Sequence, residues 1–126
     1  IENKKLRRFW VPFIQTDYEI RLHYILGNIE RIFLKQPTQN TDPGFPIRTS
    51  NFGWHYSLVM GTNDKRYSQA KALATSVAEE IELGFGAFDM AWSKKLKKYI
   101  LWEINTAPGL NENTAQIYAD KLKKIL

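Results

Sequence analysis

The chain contains no cysteine among its 126 residues and only two histidines. Disulfide bonds, thiolate zinc sites and cysteine nucleophiles are therefore excluded for these residues. No apolar run approaches the roughly 18 to 20 residues that a membrane-spanning helix requires. We therefore expect no membrane partner, and we expect a cytoplasmic location.

Two common catalytic signatures are also missing. The sequence has no G-x-x-x-x-G-K-[ST] loop, which excludes a conventional P-loop for phosphate binding. None of its serines lies in a nucleophile-elbow context, so the sequence does not support serine hydrolysis.

The composition that is present indicates one globular domain over residues 1–126, with 44% hydrophobic and 25% charged residues. The net charge of +5 suits anionic partners, including nucleotides and nucleic acid. Because the first residue is Ile1 and not methionine, we expect the chain to be a piece of a longer protein.

Hydrophobic periodicity predicts an α+β fold. Alternation and turn signals predict strands at residues 11–15, 18–26, 29–36, within 47–60, 85–92 and 99–105. Helical spacing predicts one helix over 66–83, stopped by Gly84, and another that starts near Asn113 with Gln116 completing a capping box. Since hairpins occur without regular βαβ alternation, we expect an antiparallel sheet with two main helices packed on one face.

The hairpin formed by the last two predicted strands carries an acidic face. Glu103 and Asn105 are two residues apart, so their side chains leave the same face of the strand. If the hairpin pairs Asp89 with Glu103, their Cβ atoms stand about 4.5–5.5 Å apart, and the facing like charges destabilise the sheet. A divalent cation between them would reverse that effect. The other, apolar face is predicted to carry Ile100, Trp102 and Ile104.

Two carboxylates and an amide oxygen form a hard, all-oxygen ligand set. Such a set suits Mg²⁺ or Mn²⁺, with phosphate oxygens and water completing the coordination shell. The spacing is equally compatible with an ordinary exposed hairpin face that happens to be acidic. On spacing alone, both interpretations stay open.

The turn that follows this hairpin carries a resemblance. The segment WEINTAPGL, residues 102–110, resembles the metal-binding signature of the ATP-grasp superfamily, in which a Glu-x-Asn strand precedes a Pro-Gly turn. The segment GAFD, residues 86–89, is similar to the superfamily's preceding strand with its aspartate. The resemblance implies that Asp89, Glu103 and Asn105 are ligands of the magnesium ions bound with ATP.

The resemblance extends upstream over nearly the whole chain. DYEIRLHYILG, residues 17–27, is similar to the family strand that carries an arginine near the transferred phosphate, here Arg21. Lys35 lies where relatives have a basic residue on the next strand. IRTSNFGW, residues 47–54, resembles the family's arginine–asparagine segment, which implies that Arg48 and Asn51 contact phosphates or the acyl-phosphate. The likeness is greatest to the glutathione-synthetase and ribosomal-protein-modification branch, including relatives encoded by bacteriophages.

The position of Lys35 conflicts with simple hairpin geometry. A two-residue turn at Gly27-Asn28 pairs Ile20 with Lys35, which puts Lys35 on the apolar face and away from Arg21. Only a bulge or a longer turn would return Lys35 to the face that carries Arg21.

The resemblance implies a reaction class. ATP-grasp ligases join a carboxylate to an amine through an acyl-phosphate, with release of ADP and phosphate. Arg21 and Arg48 would be catalytic because they stabilise charge on the transferred group, and ATP, a carboxylate and an amine would be the small-molecule partners. The likeness covers only the C-terminal half of such an enzyme, so we expect a separate N-terminal ATP-grasp lobe as a partner.

Two other classes of function remain. The chain could be a non-catalytic basic module that binds single-stranded nucleic acid or a protein partner. Nucleic-acid binding predicts aromatic side chains on an exposed polar face, whereas these aromatics alternate with polar residues as core residues do, so we do not expect a nucleic-acid partner. A degenerate domain is disfavoured because two facing carboxylates cost stability without a cation.

Overall fold

The computed structural model of the chain describes residues 11–42, 48–59 and 65–126. In this part of the chain, five antiparallel strands form one sheet in the order β3-β2-β1-β4-β5. The elements are β1 Tyr18–Ile25, β2 Asn28–Pro37, β3 Trp54–Leu58, α1 Ser68–Glu80, β4 Phe85–Ser93, β5 Lys98–Asn105 and α2 Glu112–Lys123. The predicted α+β class is confirmed, although residues 11–15 form no strand.

The main hydrophobic core lies between α1 and one face of the sheet. Its buried side chains include Ile20 and Leu22 of β1 and Phe88 and Met90 of β4. They pack against three alanines that recur every fourth residue of the helix, Ala70, Ala74 and Ala78. Because alanine side chains are short, this spacing lets the helix axis approach the sheet closely.

The C-terminal end of α1 differs from the prediction. The helix ends at Glu80, and Glu82 takes the left-handed conformation with φ 55°. The chain therefore leaves the helix two residues before Gly84. Ile81 is 52% exposed because it lies beyond the last helical turn that faces the sheet.

Helix α2 begins slightly earlier in the chain than the predicted start near Asn113. Asn111 is its N-cap, and the Asn111 side chain accepts a hydrogen bond of 2.8 Å from the backbone N–H of Thr114. The buried residues of the helix are consequently Thr114 and Tyr118, while Ala115 is exposed.

The two helices contact opposite faces of β1, which corrects the expectation that both pack on one face. Leu22 packs on the alanine face of α1, whereas His23 shares a hydrogen bond of 2.9 Å between its Nδ1 and the Tyr118 hydroxyl of α2. Successive strand residues point to opposite faces. His23, Phe33 and Ala87 are all buried on the second face, so that face also needs a cover. None of the helices in the described part of the chain is long and apolar enough to cross a membrane.

A bulge in the first hairpin decides the position of Lys35. The turn is Leu26-Gly27, with φ 47° and 93°, and not Gly27-Asn28. The register then shifts between His23 and Tyr24, so that Ile20 pairs with Leu34. Lys35 therefore projects from the same face as Arg21, and the expected conflict with hairpin geometry does not arise.

A second bulge changes the faces of β5. Asp89 pairs with Glu103 but Met90 pairs with Leu101, which leaves Trp102 as the extra residue. Leu101 and Ile104 therefore both contact the core, while Trp102 is 46% exposed. The prediction that Ile100 and Trp102 lie on the apolar face is wrong, because a one-residue bulge inverts the alternation on one side of it.

Candidate functional site

Three charged residues lie side by side on the adjacent strands β1, β4 and β5. Arg21 on β1 pairs with Asp89 on β4, and Asp89 pairs with Glu103 on β5. The predicted pairing of the two carboxylates is therefore confirmed. Asp89 stands between a guanidinium group on one side and a second carboxylate on the other.

Arg21 binds Asp89 through two parallel hydrogen bonds. Arg21 Nε donates to Oδ1 and Nη2 donates to Oδ2, each at 2.7 Å. The hydrogen bonds that Arg21 donates to Asp89 raise the pKa of Arg21, although burial opposes this shift. Arg21 thus supplies a cation beside the facing carboxylates, so their proximity does not by itself require a metal ion.

Two further predicted cations lie on the same face as this row. Lys35 Nζ is 3.0 Å from Glu19 Oε2, and Arg48 Nη1 is 3.7 Å from Glu19 Oε1. Arg48 also donates from Nη2 to the Thr16 carbonyl at 3.1 Å, which ties it to the segment before β1. The fold therefore brings Arg21, Lys35 and Arg48 together with the two carboxylates.

Asn51 does not join this group. It lies in a short 3-10 turn, Ser50–Phe52, and its side chain lines a separate cavity of about 500 Å³ with Thr38 and Asp42. Arg48 lines a different cavity, together with Lys35 and Asp89, so the contact of Asn51 with phosphate stays a prediction.

Tyr56 is part of the site, and the sequence patterns did not reveal it. Its ring centroid is 4.7 Å from the Arg21 guanidinium carbon and 5.4 Å from Lys35 Nζ. Partial burial of the ring, with the charge of Asp89, raises the pKa of Tyr56, so the phenol stays neutral at physiological pH. Tyr56 pairs in register with Lys35, a neighbour relation that depends on which strand β3 joins.

A cavity of about 650 Å³ opens over this face of the sheet. Its walls are residues 11–16, Glu19, Lys35, Arg48, Thr49, Asp89, Trp102 and Glu103. This volume lies within the range of small-molecule sites. The exposed Trp102 ring adds an aromatic surface to a cavity whose walls also include five charged side chains.

A second cavity, of about 400 Å³, lies on the other side of the Arg21–Asp89 pair. Arg21, His23, Phe33, Tyr56, Thr114 and residues 109–111 line it. The Thr114 hydroxyl is buried and has no hydrogen-bond partner within the described residues. Burial, assisted by Arg21, lowers the pKa of His23 to about 4, so its ring is neutral at physiological pH.

The oxygen donors near Asp89 suit a magnesium ion that phosphate and water also coordinate. The described residues contain no cluster of three or more His, Cys, Asp or Glu side chains that could hold a metal. Asn105 adds an amide oxygen, which accepts a hydrogen bond of 3.0 Å from Ala107 N–H. Mg²⁺ is commonly held by one or two carboxylates together with substrate phosphates and water. The residues present therefore suit an ion that arrives with phosphate, and they do not form an all-protein cage.

No protein-family model matches this chain, and no curated protein matches it. The resemblance to the ATP-grasp superfamily accordingly stays a prediction that rests on the quoted segments.

Removing the charge of Asp89 should destabilise the fold. Asp89→Asn leaves the Arg21 guanidinium, about four-fifths buried, without its ion pair. Because solvent moderates the loss, we expect the free energy of unfolding to fall by about 2 kcal/mol, less than for a fully buried pair. Urea denaturation at pH 7 measures this change.

Glu103→Gln is the matched control for that measurement. Glu103 is exposed and makes no ion pair with a described residue, so removing its charge should change the free energy of unfolding by less than about 0.5 kcal/mol. Equal losses in the two variants would contradict a structural role for the Arg21–Asp89 pair.

Proposed function

We propose that this chain is the metal-binding half of an ATP-grasp ligase, which joins a carboxylate to an amine and releases ADP and phosphate. The observation that carries the proposal is the row of Arg21, Asp89 and Glu103 across adjacent strands, with Lys35 and Arg48 on the same face. Opposite charges converge there beside a cavity of suitable size. Such a surface can hold both a cation and the phosphates that accompany it.

In this proposal Asp89, Glu103 and Asn105 would hold magnesium. When bound, magnesium neutralises phosphate charge and so favours phosphoryl transfer. Arg48 and Lys35 lie on the wall of the larger cavity, where their cationic groups can bind phosphate oxygens. Arginine is suited to this task because its planar fork binds two oxygens at once and stays charged.

The nucleotide would occupy the larger cavity and the carboxylate substrate the smaller one. Arg21 lines the smaller cavity while its partner Asp89 lines the larger, so the pair stands between the two proposed ligands. Arg21 is therefore positioned to stabilise charge on the group that passes from one ligand to the other.

The proposed reaction has two steps. A carboxylate oxygen attacks the γ-phosphorus of ATP, and the bond to ADP breaks. The amine then attacks the acyl carbon, phosphate leaves, and the amine loses a proton to give the amide. The side chains of this chain would orient the reactants and neutralise charge, with no covalent intermediate on the protein. A separate N-terminal lobe would complete the site, in a cytoplasmic enzyme.

Calorimetry with Mg²⁺ and a non-hydrolysable ATP analogue tests the proposal. We expect the full chain to bind the analogue at least about tenfold more tightly with Mg²⁺ than with EDTA, because the metal screens repulsion between phosphate and the carboxylates Asp89 and Glu103. Nucleotide affinity that does not change when the metal is removed would contradict the proposed site.

Single-stranded nucleic acid is the second candidate ligand. Trp102 and Tyr56 are exposed on the face that also carries three cations, whereas the sequence pattern predicted aromatic side chains in the core. Their exposure favours binding of single-stranded nucleic acid. Aromatic stacking and phosphate contacts together predict binding without metal that weakens steeply with salt. If an oligonucleotide binds in EDTA with that salt dependence, and the ATP analogue does not bind, the second candidate replaces the first.

A further inference from the structure

We propose that Arg21 is an internal counter-cation that competes with magnesium for Asp89 and is released when the metal binds. This inference rests on the proposed metal site at Asp89 and Glu103, and it adds a mode of control to that site. Arg21 would be unavailable to the phosphate until the metal arrives.

The first step in the argument is the occupancy of Asp89. Both of its carboxylate oxygens accept a hydrogen bond from Arg21, at 2.7 Å each. Bidentate pairs of this kind are among the stronger hydrogen-bonded contacts in proteins. Each oxygen keeps a second lone pair that a metal ion can use, but an ion bound there lies close to the guanidinium group and weakens its bond to Asp89 by charge repulsion.

The second step concerns the charges around Asp89. Glu103 faces Asp89 in register and makes no ion pair with a described residue. Arg21 therefore serves as the cation beside two carboxylates. A divalent ion can take over that role, and its charge repels the guanidinium group from the shared carboxylate. Metal and Arg21 are thus expected to exclude each other at Asp89.

The third step concerns the position that the Arg21 side chain takes after its release. The Tyr56 ring lies 4.7 Å from the guanidinium carbon, and Arg21 already lines the smaller cavity. An aromatic face stabilises a guanidinium group that has lost its carboxylate partner. Arg21 can therefore move toward the proposed substrate cavity while the Tyr56 ring stabilises its charge, and its freed N–H groups then face the reacting phosphoryl group.

A titration with Mn²⁺ alone tests the competition. We expect Arg21→Gln to bind Mn²⁺ about tenfold more tightly than the wild type, because the variant has no strong charge-assisted bond to break. Lys35→Gln is the matched control, since it removes the same charge from the same face but leaves Asp89 unchanged. It should tighten binding by less than about threefold, through general electrostatics alone. The electron paramagnetic resonance signal of free Mn²⁺ reports each affinity.

A second measurement uses the wild-type chain and so does not depend on a variant that folds. In ¹⁵N-labelled protein, the Arg21 Nε–H signal is expected to shift and to exchange faster with water as Mg²⁺ is added, because its bond to Asp89 is lost. Arg21→Lys, which keeps the charge without the fork, should bind Mn²⁺ with an affinity between those of the wild type and Arg21→Gln.

The outcomes separate this inference from the proposed function. If Arg21→Gln binds Mn²⁺ more tightly than the wild type and the double variant Arg21→Gln/Glu103→Gln does not, both the inference and the proposed metal site are supported. If Mn²⁺ binds through Glu103 but Arg21→Gln equals the wild type or the Lys35→Gln control, the inference fails and the metal site stands. If no variant binds Mn²⁺, with or without nucleotide, the proposed metal site fails and the inference fails with it.

Discussion

Glu103→Gln is expected to lower the affinity for a Mg²⁺–nucleotide complex by about 100-fold or more, while the fold stays intact. The substitution keeps the size of the side chain but removes one of the two carboxylates that are proposed as metal ligands. Loss of even an outer-shell group at a metal site commonly costs 10- to 100-fold, and a direct ligand contributes at least as much. Calorimetry with a non-hydrolysable ATP analogue and Mg²⁺ measures the effect.

The control for this variant is Glu80→Gln. Glu80 is exposed on α1, away from the row of charged residues, and its substitution removes the same charge. Its affinity for the analogue should equal that of the wild type. Wild-type affinity in Glu103→Gln would exclude Glu103 as a metal ligand, whatever the outcome for the rest of the fold.

Acidification is expected to destabilise the protein through His23. The buried ring has a pKa of about 4 in the folded state, below its ordinary value of 6.5, because burial and Arg21 disfavour the charged form. Below pH 6.5 the unfolded chain binds a proton at this position that the folded chain does not bind. The stability contributed by the neutral ring is therefore complete above pH 6.5 and is lost as the pH falls toward 4, by on the order of 3 kcal/mol in total.

Urea denaturation of the wild type and of His23→Gln, measured between pH 7 and 4, isolates this contribution. Glutamine does not titrate but can still share a hydrogen bond with the Tyr118 hydroxyl. Carboxylates elsewhere affect both proteins equally, so the stability difference between them should shrink by about 3 kcal/mol over that interval. Parallel pH profiles would show that His23 does not titrate across this range.

Much of the fold was predictable because its signals are local. The strands that became β1, β2, β4 and β5 each follow an alternating or apolar pattern bounded by turn residues, and the structure confirms them. The ends of the helices were less predictable. Glu82 rather than Gly84 takes the left-handed conformation, and Asn111 rather than Asn113 caps α2. Several residues near each end could serve as a cap, and tertiary packing selects among them.

The candidate site was only partly predictable. The pairing of Asp89 with Glu103 was predicted only as a condition on the hairpin register. The turn places Ser93 opposite Lys98, and Asp89 would face Trp102 without the bulge that follows Leu101, so the bulge decides this pairing. Tyr56 and Glu19 were missed as members of the site. Glu19 shares the strand face of Arg21 and could have been included on that ground. Tyr56 could not, because its position depends on the pairing of β3 with β2, which no local pattern specifies.

The sequence by itself determined the strand patterns, the acidic and amide side chains of the last hairpin, and the resemblance that motivates the proposed chemistry. These features depend on residue type and short-range spacing. Only the tertiary structure decided that Lys35 and Trp102 join the charged face, that the helices lie on opposite sides, and that Arg21 binds Asp89. Each of these depends on a one-residue bulge or on pairing between distant strands. A bulge inverts the faces of a strand at little local cost, so the packing of the whole sheet selects its position.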